Sequence, residues 1–171
     1  FTNKIWNAAN FLNINQVLFV DKLDNEKIHL DTSKWILKEY ESVQTKYFEN
    51  IEKYQFHEIA SLIYHFTWHT FCDWYIEFIK SDFADDNKAE ETKKVSGWVY
   101  IQILKLLHPI MPFITEKLWL SLVNSKSFLM SQNYTKVAFN DSFDESKKYT
   151  KKIIEIMTSL RNLRADLNIS Y

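Results

Sequence analysis

Between Phe56 and Lys80 the chain reads FHEIASLIYHFTWHTFCDWYIEFIK, with no Pro or Gly to interrupt it and with Phe, Trp, Tyr, Ile or Leu in every turn. At helical pitch its polar side chains fall on one narrow stripe, Glu58, Ser61, His65, His69, Asp73, Glu77 and Lys80, spaced three or four apart. A helix that is apolar around most of its circumference must be enclosed by neighbours. The spacing therefore predicts the central helix of an all-α bundle, with one polar stripe left to face a partner or solvent.

The remainder of the chain agrees with an all-α reading. One Gly and two Pro in 171 residues leave almost none of the turn chemistry that a β-rich fold consumes. That length supports one domain with a sizeable core. A formal net charge of −1 gives no global basic field, so a nucleic-acid partner must be held by local patches. The single cysteine, Cys72, excludes an internal disulfide framework and fits a reducing, cytoplasmic compartment. No apolar run reaches the roughly 20 residues a bilayer span needs. Phe1 is not a start methionine and helical periodicity is already under way at Ile5, so the chain reads as an excised piece of a longer protein.

In order, the pattern predicts a first helix over Phe1 to Ile14, with Phe1, Ile5, Ala8, Ala9 and Leu12 inward and Asn3, Lys4, Asn7, Asn10 and Phe11 on the opposite arc. Phe11 is the odd member of that polar face, either a packing residue against a neighbour or a platform for a nucleobase. Asn15 to Leu30 reads as a connecting loop. Asp31 or Thr32 then caps a helix to about Tyr54, with Trp35, Ile36, Tyr40, Val43, Tyr47 and Ile51 as its stripe. After the central helix comes a solvated acidic connection, Ser81 to Asn87. A helix over Glu90 to Leu107 carries Val95, Trp98, Val99, Ile101, Ile103, Leu104 and Leu107 inward, and HPIMPF stops it. Pro112 opens a helix to about Asn124, with Phe113, Ile114, Leu118, Trp119 and Leu122 inward. Ser125 to Ser142 has no clear period, although its KVAF piece suits an extended segment. A last helix over Asp144 to about Leu167 sets Lys147, Lys148, Lys151 and Lys152 against a stripe of Tyr149, Ile153, Ile156, Leu160, Leu163 and Leu167. Arg161 and Arg164 stand one turn apart beside that stripe. The lysine face is an ordinary solvated face or a contact for an RNA backbone.

Catalytic patterns are absent. One glycine, Gly97, builds neither a phosphate-cradling loop nor a dinucleotide fingerprint, and there is no Gly-x-Ser-x-Gly elbow. His65, His69 and Cys72 have spacings that can chelate zinc, but with no acidic fourth ligand in view they read as polar-stripe residues, and no metal is expected. Asp73 and Glu77 are four apart on one face. Without a cleft they read as an exposed helix edge.

Five blocks occur in one order at consistent spacing: NKIWNAANF (Asn3 to Phe11), SKWIL (Ser33 to Leu37), FTWHTFCDWYIEF (Phe66 to Phe78), LHPIMPFITEKLW (Leu107 to Trp119) and RNLRADLNIS (Arg161 to Ser170). Together they resemble the anticodon-binding helical domain of the valyl-tRNA synthetases, over nearly the whole chain. The HPIMPFITEKLW block is shared with the related isoleucine and leucine enzymes, whereas NKIWNAANF and FCDWYIE point to the valine family. The resemblance implies an all-α bundle of about five to six helices, of the class I synthetase type, filling residues 1–171. It implies tRNA-Val as partner, a monomer in the cytoplasm with no membrane association, and a valine–tRNA ligase as the full-length enzyme. The catalytic Rossmann-like domain, with its ATP and magnesium and its HIGH-like and KMSKS-like motifs, would lie elsewhere in that protein. A coiled coil would follow Tyr171. This piece should carry no cofactor and no catalysis.

Carried over by position, the family's anticodon contacts fall on Lys4, Asn10, Phe11, Ile76 and Glu77. Asn7 joins them from the helical wheel, and Arg161 and Arg164 are candidates for the tRNA backbone. The motif favours base stacking by Phe11. Asn10 departs from the Arg common at that position, exchanging a guanidinium for a short neutral amide. The competing readings are the isoleucyl or leucyl relative, a helical protein-interaction module that binds no RNA, and a zinc-dependent bundle.

Overall fold

The computed structural model describes residues 1–123 and 127–167. Six helices account for most of them, and no strand forms among the described residues. The first, α1, spans Thr2–Ile14 and buries Ile5, Ala8, Ala9 and Leu12 of the expected arc, whereas Phe1, also expected inward, is its half-buried N-cap. A connector with one 3-10 turn, Asn25–Lys27, leads to α2, Asp31–Glu52. Neither Asp31 nor Thr32 caps α2: Leu30 is the N-cap, with no side-chain cap hydrogen bond. The Asp31 carboxylate accepts instead from the Ser146 hydroxyl at 2.7 Å. Ile51, expected inward, is 37% exposed on the last turn.

The long stretch forms one composite helix: α3 (Phe56–His65), a π-helical segment (Phe66–Tyr75) and α4 (Ile76–Ile79), with right-handed helical backbone at both junctions. The Ile76 N–H reaches five residues back to the Phe71 carbonyl. π-helical stretches are rare and concentrate at functional sites. The expected polar stripe is wholly solvent-accessible or half-buried, while Ile59, Ile63, Phe66, Phe71, Tyr75 and Ile79 enter the core. It is not, however, the centre of the bundle.

That place belongs to α5, Asp86–Leu107, where every residue from Val95 to Leu104 is buried. It starts a turn earlier than the sequence pattern suggests, because the Asp85 carboxylate accepts from the Asn87 N–H at 3.0 Å and caps it. The preceding connection is less solvated than expected: Phe83 is half-buried and Asp82 is buried in a 3-10 turn. Gly97 explains how the connector crosses α5. A Cβ there would collide with the Leu18 carbonyl oxygen and lie 2.8 Å from both the Leu18 carbon and Val17 Cγ1. The lone glycine lets one backbone lie directly on another.

Helix α6, Pro112–Leu122, has Pro112 at its first turn and buries Thr115, Leu118 and Trp119. Phe113 is 91% exposed, not inward. At 100° per residue it lies opposite Thr115, whose hydroxyl donates to the Met111 carbonyl at 2.9 Å and sits 2.8 Å from His108 Nδ1. The expected boundary at Asn124 and Ser125 falls outside the described residues. The KVAF piece lies extended along α2: the Val137 N–H donates to Gln44 Oε1 at 2.8 Å and the Phe139 N–H to Glu41 Oε1 at 3.1 Å.

The last helix, α7 (Phe143–Asp166), packs on α2 through Phe143, Ser146 and Thr150. The sequence stripe of Tyr149, Ile156, Leu160, Leu163 and Leu167 is 54–60% exposed, with Ile153 half-buried. Lys147 also leaves the solvated face, donating to Ser42 Oγ at 2.8 Å and pairing with Glu39 at 3.5 Å. Lys148, Lys151 and Lys152 remain exposed. No helix among the described residues is long and apolar enough to cross a membrane.

Candidate nucleic-acid interface

Helix α1 and the composite helix run side by side in the same direction. The Phe1 ring lies 5.1 Å from Tyr64 and 6.2 Å from Trp68, Lys4 reaches Asp73, and Phe11 meets Phe83. From the core side, the buried Tyr100 hydroxyl donates to the Ile5 carbonyl at 2.8 Å and fixes the height of α1.

Lys4 is the centre of this seam. Its Nζ lies 2.7 Å from Asp73 Oδ1 and 5.0 Å from the centroid of the Trp68 ring. The Asp73 hydrogen bond raises the Lys4 pKa above its ordinary value against the opposing effect of burial, aided by the charges of Asp73 and Glu77. Asp73 Oδ2 is 3.3 Å from His69 Nδ1. Trp68 stacks on Tyr64 at 5.6 Å, and His65 on His69 at 5.4 Å, so two short columns of rings run along the exposed edge. The Asp73 and Glu77 carboxylates do not form an acid–base pair: each holds a lysine, Glu77 binding Lys80 at 2.7 Å.

The other expected contacts divide into two groups. Asn7 and Asn10 are exposed, and their side chains make no hydrogen bond among the described residues. Glu77 is exposed on the composite helix. Phe11 is half-buried, with one side edge-on to Phe83 at 5.8 Å between centroids. Ile76 is only 7% exposed, so it supports the wall more than it forms the surface. Arg161 and Arg164 are exposed on α7, and the Arg161 guanidinium lies 4.6 Å from the Trp74 ring centroid. That cation–π contact brings the far end of α7 to the composite helix.

Sequence reasoning missed Trp6, 40% exposed and one turn before Asn10. A large aromatic among the outward asparagines was the available signal. It also missed the partnership of Lys4 with Asp73, which joins residues 69 apart in the chain.

His65, His69 and Cys72 do not converge. The thiol is buried and burial pushes it up to about 12, while both imidazoles face outward. Among the described residues no group of three or more His, Cys, Asp or Glu side chains could hold a metal. A cleft of about 480 Å³ lies elsewhere, walled by Asp21, Trp98, Gln102 and Lys105, and contains none of the expected contact residues.

Residues 33–171 match the family model described as the anticodon-binding domain of tRNA ligase. The chain belongs to this family. Helix α1 precedes the matched residues, but full-length alignments take it in. The valine–tRNA ligase of Pelagibacter ubique is 41% identical over 176 aligned residues, covering 99% of this chain and 20% of that protein. The valine–tRNA ligase of Staphylococcus epidermidis is 36% identical, covering 98% and 20%, and that of Syntrophotalea carbinolica 34%, covering 99% and 20%. The chain thus spans about a fifth of the length of the curated relatives it matches.

Proposed function

We propose that this chain is the anticodon-binding part of a valine–tRNA ligase and that it reads the anticodon loop of tRNA-Val. Residues 1–171 act as one binding domain, and valine activation with ATP and magnesium belongs to another part of the longer enzyme. The observation that supports this reading is the α1 seam: Lys4 is locked to Asp73, one turn before the exposed Glu77 on the composite helix, and Asn7 and Asn10 stand exposed on the same α1.

Valine codons require an anticodon with A in the middle and C at the third position. Single-stranded bases are recognised by stacking on aromatic rings and by hydrogen bonds to their edges. The side of Phe11 away from Phe83 offers the stacking surface. The Asn7 and Asn10 amides can both donate and accept, as an adenine edge requires, and the Glu77 carboxylate accepts from a cytosine amino group. Glu77 is bound to Lys80 as an exposed i,i+3 pair, which costs little to open. With a net charge of −1, affinity must come from this local fit and not from a basic field.

Titration of the chain with the tRNA-Val stem-loop and with an anticodon-swapped version tests the reading. Preference for the valine anticodon is expected. Phe11→Ala should lose about 1–3 kcal/mol of stacking, or roughly 5- to 150-fold in affinity. A thermal melt of the same variant reports separately on the Phe83 contact. Equal affinity for both loops would remove anticodon reading.

A further inference from the structure

We infer that Asp73 is the specificity-setting residue of the α1 surface: it withholds the Lys4 ammonium from arbitrary RNA phosphates and fixes it in one place, so that only a loop of matching shape engages it. This inference rests on the anticodon-binding reading and deepens it.

Lys4 is one of the positions on which the family's anticodon contacts fall. It is held on two sides, by the Asp73 carboxylate at 2.7 Å and by the Trp68 ring at 5.0 Å. Both partners of the ion pair are only one-third exposed, so the attraction is screened less than at an open surface. Asp73 is braced in turn by His69 at 3.3 Å, one turn back on the composite helix. The charges cancel locally: Lys4 against Asp73 and Lys80 against Glu77. A surface with no net positive charge gains little from counterion release, the term that makes RNA binding indiscriminate. It keeps the hydrogen-bonding capacity that reads shape, because an ammonium has three donors and Asp73 occupies one. Asn10, a neutral residue, adds no second cation on α1 to undo the cancellation. Asp73 acts through Lys4 and is therefore a positioning residue.

The isosteric Asp73→Asn variant isolates this role. The full chain is titrated with the tRNA-Val stem-loop and with the anticodon-swapped loop over a range of salt. The expected result is a gain in affinity for the swapped loop, with the ratio between the two loops falling about tenfold, the size of one charge-assisted hydrogen bond. The logarithmic salt dependence should steepen by about 0.7, for one additional phosphate on a single strand. In a Lys4→Gln background Asp73→Asn should change neither quantity. Glu58→Gln, which removes the same charge from the same composite helix away from Lys4, should leave the ratio as it was. An unchanged ratio in Asp73→Asn, or an effect that persists without Lys4, overturns the inference while leaving anticodon reading intact. Failure of the unmodified chain to prefer the valine loop overturns the reading and the inference with it.

Discussion

Phe143 and Leu160 are both large apolar residues of α7, yet the first is 4% exposed and the second 54%. They belong to two different faces of the helix. The face that docks on α2 runs through Phe143, Ser146, Thr150, Ile154 and Met157 and then arrives at Arg161 and Arg164. The more continuous apolar stripe, Tyr149 to Leu167, is rotated from it by about 100° and remains in solvent. Polar anchors account for that rotation. Ser146 donates to Asp31, Lys147 reaches Ser42 and Glu39, and buried Lys38 lies 2.7 Å from Glu41 and 3.6 Å from Asp144. Apolar periodicity identifies residues sharing a face, whereas directional bonds decide which face is covered.

The sharpest way to break this contrast is to truncate the docked side. Phe143→Ala should destabilise the chain by about 3–5 kcal/mol, as expected for a buried aromatic that leaves a cavity. Urea unfolding measures the loss. A cost below 1 kcal/mol would mean that the polar anchors alone hold α7.

The anchors themselves are addressed by alkaline titration. Burial by itself would lower the Lys38 pKa, but the Glu41 hydrogen bond and the charges of Glu41, Asp144 and Asp141 outweigh it and raise the pKa above 10.5. A raised lysine pKa contributes stability that is fully present below the unfolded value and is lost as pH rises through the folded one. The melting temperature should therefore fall above pH 10.5, and Lys38→Gln should remove that part of the fall. Persistence of the full slope in the variant would assign it to other groups.

The same contrast shows what could be read from sequence. Within α1 and α5 the periodic residues lie in the core, apart from the half-buried Phe1 at the start of α1, because apolar neighbours cover those helices and their directional bonds agree with the apolar face. Phe113 and the α7 stripe were misplaced, because a proline-set first turn and polar contacts oriented those helices instead. The π register of residues 66–75 left no trace in composition, and it is the register in which Asp73 meets Lys4. Lys4, Asn10, Phe11 and Glu77 were named through a family motif, which carries positions and not contacts. What the motif could not supply was the state of each side chain: Lys4 paired, Phe11 half-covered, Ile76 buried. Contacts between residues about 70 apart in the chain have no periodic signature.

The smallest expected effect tests the exposed side of α7. Leu160→Ala removes a large side chain but keeps a strong helix former, so helix propensity changes little. Leu160 is 54% exposed and leaves no cavity when shortened, so the loss should stay within about 0.5 kcal/mol. Far-UV circular dichroism and urea unfolding, run beside Phe143→Ala, measure both quantities under one set of conditions. A cost above 2 kcal/mol would show that the stripe is covered in solution, either by the chain itself or by a second copy. Repeating the measurement over a range of protein concentrations separates those two cases, since only a stripe buried between copies gives a stability that depends on concentration.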